Sequence, residues 1–251
     1  MAHPRLDEWL LSCGYYATRA RARDAILRGC VIIDNENSVK PSRRVTDPSL
    51  IRVEDPAARF VSRAAMKLKR ALDETGISPK NKIALDLGAS TGGFCQVLLE
   101  AGAEHVYAVD VGHNQMDPRI LSNRRLTNIE GVNARELSLS HLEGMRPEFI
   151  TSDVSFISLK LALPPALNLA QAGAIGIFLV KPQFEVGKDA LGKGGIVRDK
   201  KLAEQVAVSI RDWLSDFKGW TVDRLMESPI TGGDGNSEYL LIGKKHEHFA
   251  H

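Results

Sequence analysis

Residues 82–102 read KIALDLGASTGGFCQVLLEAG. The run from Ile83 to Leu87 is nearly all apolar, which suits a strand covered on both faces, and it stops at Gly88. Gly92 and Gly93 then open FCQVLLEAG, an apolar stretch that reads as a helix ending at Gly102. A strand, a glycine turn and a helix make the first half of a βαβ unit. The chain repeats that alternation toward its C-terminus. HVYAVDV (105–111), RLTNIEG (125–131), PEFITSDVSF (147–156) and AIGIFLVKP (174–182) read as strands, LKLALPPALNLAQAG (159–173) and KKLAEQVAVSIRDWLSDF (200–217) as helices, and WTVDRLMESP (220–229) and SEYLLIGKK (237–245) as two last strands. The expected fold is α/β, a Rossmann-like sheet of seven mostly parallel strands with helices on both faces.

The 251 residues, 43% apolar and 25% charged, suit a large soluble domain plus a small one. Cys13, Cys30 and Cys95 have no metal-binding spacing and cannot all pair, which favours a reducing, cytoplasmic compartment and no metal. No signal peptide is expected, because Asp7 and Glu8 stand where a basic region should be. Leu161 to Val180 are twenty residues without a charge, the length of a membrane span. Pro164, Pro165, Asn168 and Gln171 interrupt them, so a buried helix followed by a central strand is the better reading and no membrane is expected.

The net charge of +2 is unevenly spread: residues 1–44 hold eight Lys and Arg against five Asp and Glu, a local +3. RLDEWLLSCG (5–14) has apolar residues at helical spacing, Thr18 can cap a second helix, and CVIIDNENSVK (30–40) reads as a strand and a polar turn. Arg19, Arg21 and Arg23 fan around the second helix, as either an anion-binding or a solvated face. RRVTDPSLIRVEDPAARF (43–60), with two Asp-Pro pairs, is expected to join this part to the next. The expected division is a small α+β domain over 1–50, a linker over 51–60, a large domain over 61–245 and a tail over 246–251.

The glycine loop narrows the ligand. Gly88, Gly92 and Gly93 fit neither G-x-G-x-x-G nor a Gly-Lys-Ser/Thr phosphate loop. Acids stand at the strand ends instead, Asp86 on the first strand and Asp110 on the second, where a carboxylate binds ribose hydroxyls. A ligand with a ribose, no phosphate and a positive charge suits that edge, and S-adenosylmethionine is such a ligand. The cofactor set expected is Asp86, Gly88, Ala89, Ser90, Thr91, Gly92, Gly93, Phe94, Asp110, Asn133 and Asp153.

Four more polar residues sit at strand ends or on the entry helix: Lys67, Asp153, Lys181 and Glu238. With SRAAMKL, DLGASTGGF, SDVSF, VKPQFE and GNSEYLL, their order resembles the FtsJ-like RNA ribose 2′-O-methyltransferases. The segment 5–43 is similar to the small RNA-binding domain first seen in ribosomal small-subunit protein four, with Thr18 where that family usually has serine. Together they resemble the haemolysin A, TlyA-like branch, which methylates cytidine riboses in ribosomal RNA. Ala64-Ala65 departs from the two glycines common there, which could alter how the linker approaches the site. The resemblance implies a catalytic tetrad of Lys67, Asp153, Lys181 and Glu238, and an RNA-binding set of Arg5, Arg19, Arg21, Arg23 and Lys40, with ribosomal RNA or ribosomal subunits as partner.

Those residue types fit the chemistry. A ribose hydroxyl is a poor nucleophile until its proton is taken, and a neutral Lys181 could take it, with Asp153 and Glu238 orienting the lysines and the hydroxyl. Two other readings stay open on the residues: an RNA-binding assembly protein with an inactive catalytic domain, and a membrane-lysing protein, which the absence of an evident signal, amphipathic helix or span argues against.

Overall fold

The computed structural model describes residues 3–37, 39–187, 190–233 and 235–246. It divides into two units, Met1–Phe60 and Val61–His251. In the first, Leu6 and Leu10 lie one turn apart on α1 (Leu6–Ser12) and are fully buried. Thr18 Oγ1 accepts the Arg21 amide and so opens α2 (Arg19–Leu27), which turns Ala22, Ala25 and Ile26 inward. A two-stranded antiparallel sheet, β1 (Val31–Ile33) with β2 (Ile51–Val53), closes the unit.

The expected linker over 51–60 is therefore part of this unit. Ile51 and Val53 pack on its core, and the Asp55 carboxylate takes both terminal nitrogens of Arg28 at 2.9 and 2.8 Å. Strands of three residues are too short to show alternation in sequence, which is why the stretch read as a joint.

In the second unit α3 (Ala65–Thr75) ends on Gly76 at φ +69°. Then come β3 (Ile83–Leu87), α4 (Gly93–Glu100), β4 (His105–Asp110), α5 (Pro118–Leu121), β5 (Leu126–Glu130) and β6 (Phe149–Ser152). The expected single helix over 159–173 is two, α6 (Leu159–Ala162) and α7 (Pro164–Leu169). Pro164 and Pro165 have no amide to continue the first helix, and both fit the first turn of the next. β7 (Ile175–Val180), α8 (Lys200–Asp216), β8 (Trp220–Glu227) and β9 (Tyr239–Lys245) complete the unit.

The seven strands lie in the order β5-β4-β3-β6-β7-β9-β8. β3 to β7 run parallel, and β9 pairs antiparallel with both β7 and β8. Leu85, Leu87, Ile150, Phe178 and Leu241 are buried in one core with Leu159, Leu163 and Ile210 of the covering helices. Among the described residues no helix is long and apolar enough to cross a membrane. This topology brings the carboxyl ends of the parallel strands to one edge, where ligands of open α/β sheets bind.

Candidate active site

A cavity of about 920 Å³ opens at that edge, lined among others by Gly88, Ser90, Asp110, Asn133, Asp153, Phe156 and Phe184. Asp110 is held from two sides: Oδ2 accepts the Ser90 amide at 2.8 Å and Oδ1 the Gly112 amide at 2.7 Å. A carboxylate has about four acceptor positions, so capacity remains for hydroxyls in the cavity. Ser90 makes its contact at φ +46°, a left-handed backbone uncommon outside glycine. Asn133 Oδ1 accepts the Arg135 amide, which caps a short turn on the opposite wall.

The rest of the expected cofactor set does not line the cavity. Ala89, Gly92, Gly93 and Phe94 are buried, and Thr91 is half-buried. Several amides of the loop are engaged within the chain: Gly88 and Ala89 donate to Val109 O, and Gly92 donates to Ala89 O. Asp86 has no exposed surface and accepts from Thr151 Oγ1 at 2.8 Å and Cys95 Sγ at 3.1 Å. Burial pushes its carboxyl up to about 6, against the opposing effect of those two bonds.

The four tetrad candidates form two ion pairs. Lys67 Nζ lies 2.6 Å from Glu238 Oε2, and Lys181 Nζ lies 2.6 Å from Asp153 Oδ1. Lys181 also donates to Asp153 O at 3.2 Å and to Ser155 Oγ at 2.7 Å. Val180 and Tyr239 are paired residues of β7 and β9, so Lys181 and Glu238 stand one step past the same rung. Lys67, Lys181 and Glu238 are buried, and Asp153 borders the cavity.

In the first unit, three of the expected RNA-binding arginines converge on one acid. Asp7, fully buried, lies 3.0 Å from Arg5 Nε, 2.9 Å from Arg19 Nε and 3.9 Å from Arg23 Nη1. Burial works to raise the Asp7 carboxyl, but the bonds from Arg5 and Arg19 hold it below its ordinary value. Arg21 does not join them; its Nη2 donates to Phe60 O. Lys40 is exposed.

Sequence reasoning missed Gln115, Ser155, Phe156 and Phe184. Ser155 is two residues from Asp153 in SDVSF, a spacing that could have marked it as a partner for Lys181. Phe156 is 90% exposed at φ +64°, with its ring 5.0 Å from that of Phe184. A bulky residue in a left-handed conformation and in solvent is strained and uncovered at once. Glu185, close after Lys181 in sequence, serves structure: its carboxylate accepts Ser158 Oγ and the Leu159 amide at the start of α6.

The pattern of the family described as FtsJ-like methyltransferase matches residues 60–245. Hemolysin A of Brachyspira hyodysenteriae is 40% identical over 236 residues, covering 94% of this chain and 98% of that protein. The 16S/23S rRNA (cytidine-2′-O)-methyltransferase TlyA of Mycobacterium tuberculosis is 39% identical over 238 residues, covering 94% of this chain and 88% of that protein. A solved structure from Streptococcus thermophilus, provisionally named a hemolysin, superposes with a TM-score of 0.76 at 36% identity, over 98% of this chain and 90% of that one. The cavity and both ion pairs fall inside the matched span, and the chain that builds them belongs to the FtsJ-like methyltransferase family.

Proposed function

We propose that this protein transfers a methyl group from S-adenosylmethionine to a ribose 2′-hydroxyl of ribosomal RNA, at a cytidine. The observation that carries the reading is the double pairing of Lys67 with Glu238 and Lys181 with Asp153 beside a cavity edged by Asp110. The name of the Mycobacterium tuberculosis relative supplies the substrate and the position. Residues 1–60 are, in this reading, the RNA-binding module, with Arg5, Arg19, Arg21, Arg23 and Lys40 on the phosphates.

The residues present fit the cofactor. The cavity lies within the range of small-molecule sites, Asp110 retains acceptor capacity for ribose hydroxyls, and Gly88 permits close approach beside Asp153. Ser90 and Asn133 border the same space. When bound, the cofactor supplies an electrophilic methyl on a sulfonium.

Lys181 Nζ would take the proton of the ribose hydroxyl and so free its oxygen as the nucleophile, the C–S electron pair of the sulfonium leaving with sulfur. Asp153 and Ser155 fix its Nζ, and Glu238 fixes Lys67 at the neighbouring strand end. Much of the rate comes from holding nucleophile and methyl in line. Phe156 and Phe184 offer an aromatic face on which the target base can stack once it leaves its helix.

Radiolabelled S-adenosylmethionine and ribosomal RNA from cells lacking the protein test this directly. Label should appear in RNA, and alkaline hydrolysis should leave it in uncleaved dinucleotides, because a 2′-O-methyl group blocks strand scission. No transfer, or label on a base, would overturn the proposal.

A further inference from the structure

Between β7 and α8 the chain makes a tight turn that no catalytic role above uses. Gly192 donates its amide to Ile196 O at 2.9 Å, and Gly195 donates to Gly192 O at 3.1 Å. Asn236, only 2% exposed, pins it: Oδ1 accepts the Val197 amide at 2.9 Å and Nδ2 donates to Gly195 O at 3.2 Å. Asn236 stands two residues before Glu238, and its own carbonyl accepts the Gly232 amide at 2.9 Å. Gly232 in turn lies so close to Glu238 that a Cβ there would sit 2.7 Å from Oε1. The turn and a tetrad carboxylate hang on one short piece of backbone.

The turn and the first residues of α8 carry Lys193, Arg198, Lys200 and Lys201, all exposed. Among the described residues none of these side chains has an ion-pair or hydrogen-bond partner, whereas Arg19, Arg28, Arg43 and Arg70 each lie on a carboxylate. The one acid among them, Asp199, accepts the Lys201 amide at 2.8 Å and so caps α8. Lys200 and Lys201 occupy the first turn of that helix, where its partial positive charge disfavours cations. Fold stability does not account for this grouping of charge. Attraction for a polyanion does.

We propose that Gly192–Lys201 is a phosphate-gripping arm of the catalytic unit. Lys193, Arg198, Lys200 and Lys201 engage the RNA backbone beside the target nucleotide, and Asn236 is the positioning residue that holds the arm in step with Glu238. The proposal rests on the RNA-methyltransferase reading above, and it adds a second grip to that of the N-terminal unit.

The test uses the full chain and ribosomal RNA from cells lacking the protein. In a Lys193→Ala/Arg198→Ala/Lys201→Ala variant, the slope of log affinity against log salt should become shallower by about two to three, at about 0.7–0.9 for each phosphate no longer neutralised. KM for RNA should rise about tenfold or more, with kcat at saturating RNA and cofactor affinity unchanged. Asn236→Ala should raise the same KM, and adding it to the triple variant should change little further, because both act through one arm. The triple substitution touches only exposed side chains, so it decides the matter even where Asn236→Ala fails to fold. Wild-type affinity and salt slope in the triple variant would overturn the proposal. A wild-type protein that binds RNA, loses slope in the variant and yet transfers no methyl would sink the enzymatic reading and leave the arm standing.

Discussion

The backbones of Gly88 and Val154 touch: a Cβ on Gly88 would lie 3.0 Å from Val154 Cα and N, and 3.1 Å from the Asp153 carbonyl carbon. Gly88 also sits at φ +78°. Gly88→Ala should therefore cost about 1–3 kcal/mol of stability and displace Asp153, so that methyl transfer falls further than unfolding explains. Gly76→Ala is the comparison, at φ +69° with nothing within 4 Å, and should cost about 1–2 kcal/mol with activity retained. Thermal unfolding and activity of the two variants side by side check this; equal losses would show the close approach to be irrelevant.

Lys181 as general base makes a sharp kinetic prediction. Lys181→Ala should lower kcat by about 10²- to 10⁴-fold while cofactor and RNA affinities stay near wild type. Lys181→Arg should fail equally, because a guanidinium does not release its proton at useful pH. A folded arginine variant with near-normal turnover would assign the proton transfer elsewhere.

The Lys67–Glu238 pair is buried on both sides. Removing either partner leaves an uncompensated charge and should cost about 3–5 kcal/mol. The double variant Lys67→Met/Glu238→Leu should regain most of that stability and none of the activity. Denaturant unfolding of the three proteins measures the coupling; additive losses would mean that the two charges do not act as a pair.

Asp110→Ala should weaken S-adenosylmethionine binding by about 1–3 kcal/mol, the range for a hydrogen-bond partner left unmet. RNA affinity should hold. Calorimetry with unchanged cofactor affinity would take Asp110 out of the site.

Asp86 gives a pH dependence of stability. Its folded-state value of about 6 stands above the ordinary 3.8, so its contribution is complete below about pH 4 and is lost as pH rises through 6. Asp86→Asn stays neutral throughout. The stability of wild type relative to that variant should fall by about 2–2.5 kcal/mol between pH 4 and pH 7. Urea titrations at the two values, showing no change in the difference, would mean that the carboxyl is solvated in the native state.

The sheet was readable because its central strands are continuous apolar runs ended by glycine or a charge, as at Leu87-Gly88 and Val180-Lys181. The four candidate catalytic residues could be picked out by type and order, though not their partners. That Lys67 meets Glu238 and not Asp153 depends on where α3 lies against β9, which no local pattern encodes. Asp86 has partners that the sequence does not show. A carboxylate near a strand end suggested a ligand-binding role, and the structure turns it inward onto Cys95 and Thr151. Asn236 was passed over because a buried asparagine has no periodicity; only the distant amide of Val197 reveals what it holds.

The Asp7 cluster bears on how tightly the N-terminal unit can hold an anion. Arginine side chains carry about 2 kcal/mol of rotamer freedom, which binding normally has to remove. Arg5 and Arg19 are already stationed by Asp7, with Arg23 close by, so folding has restricted them before any phosphate arrives. On the proposed RNA-binding role, association would then carry a smaller entropic loss, with Arg19 Nη1, 3.2 Å from Glu8 Oε1, shared between that acid and an incoming oxygen.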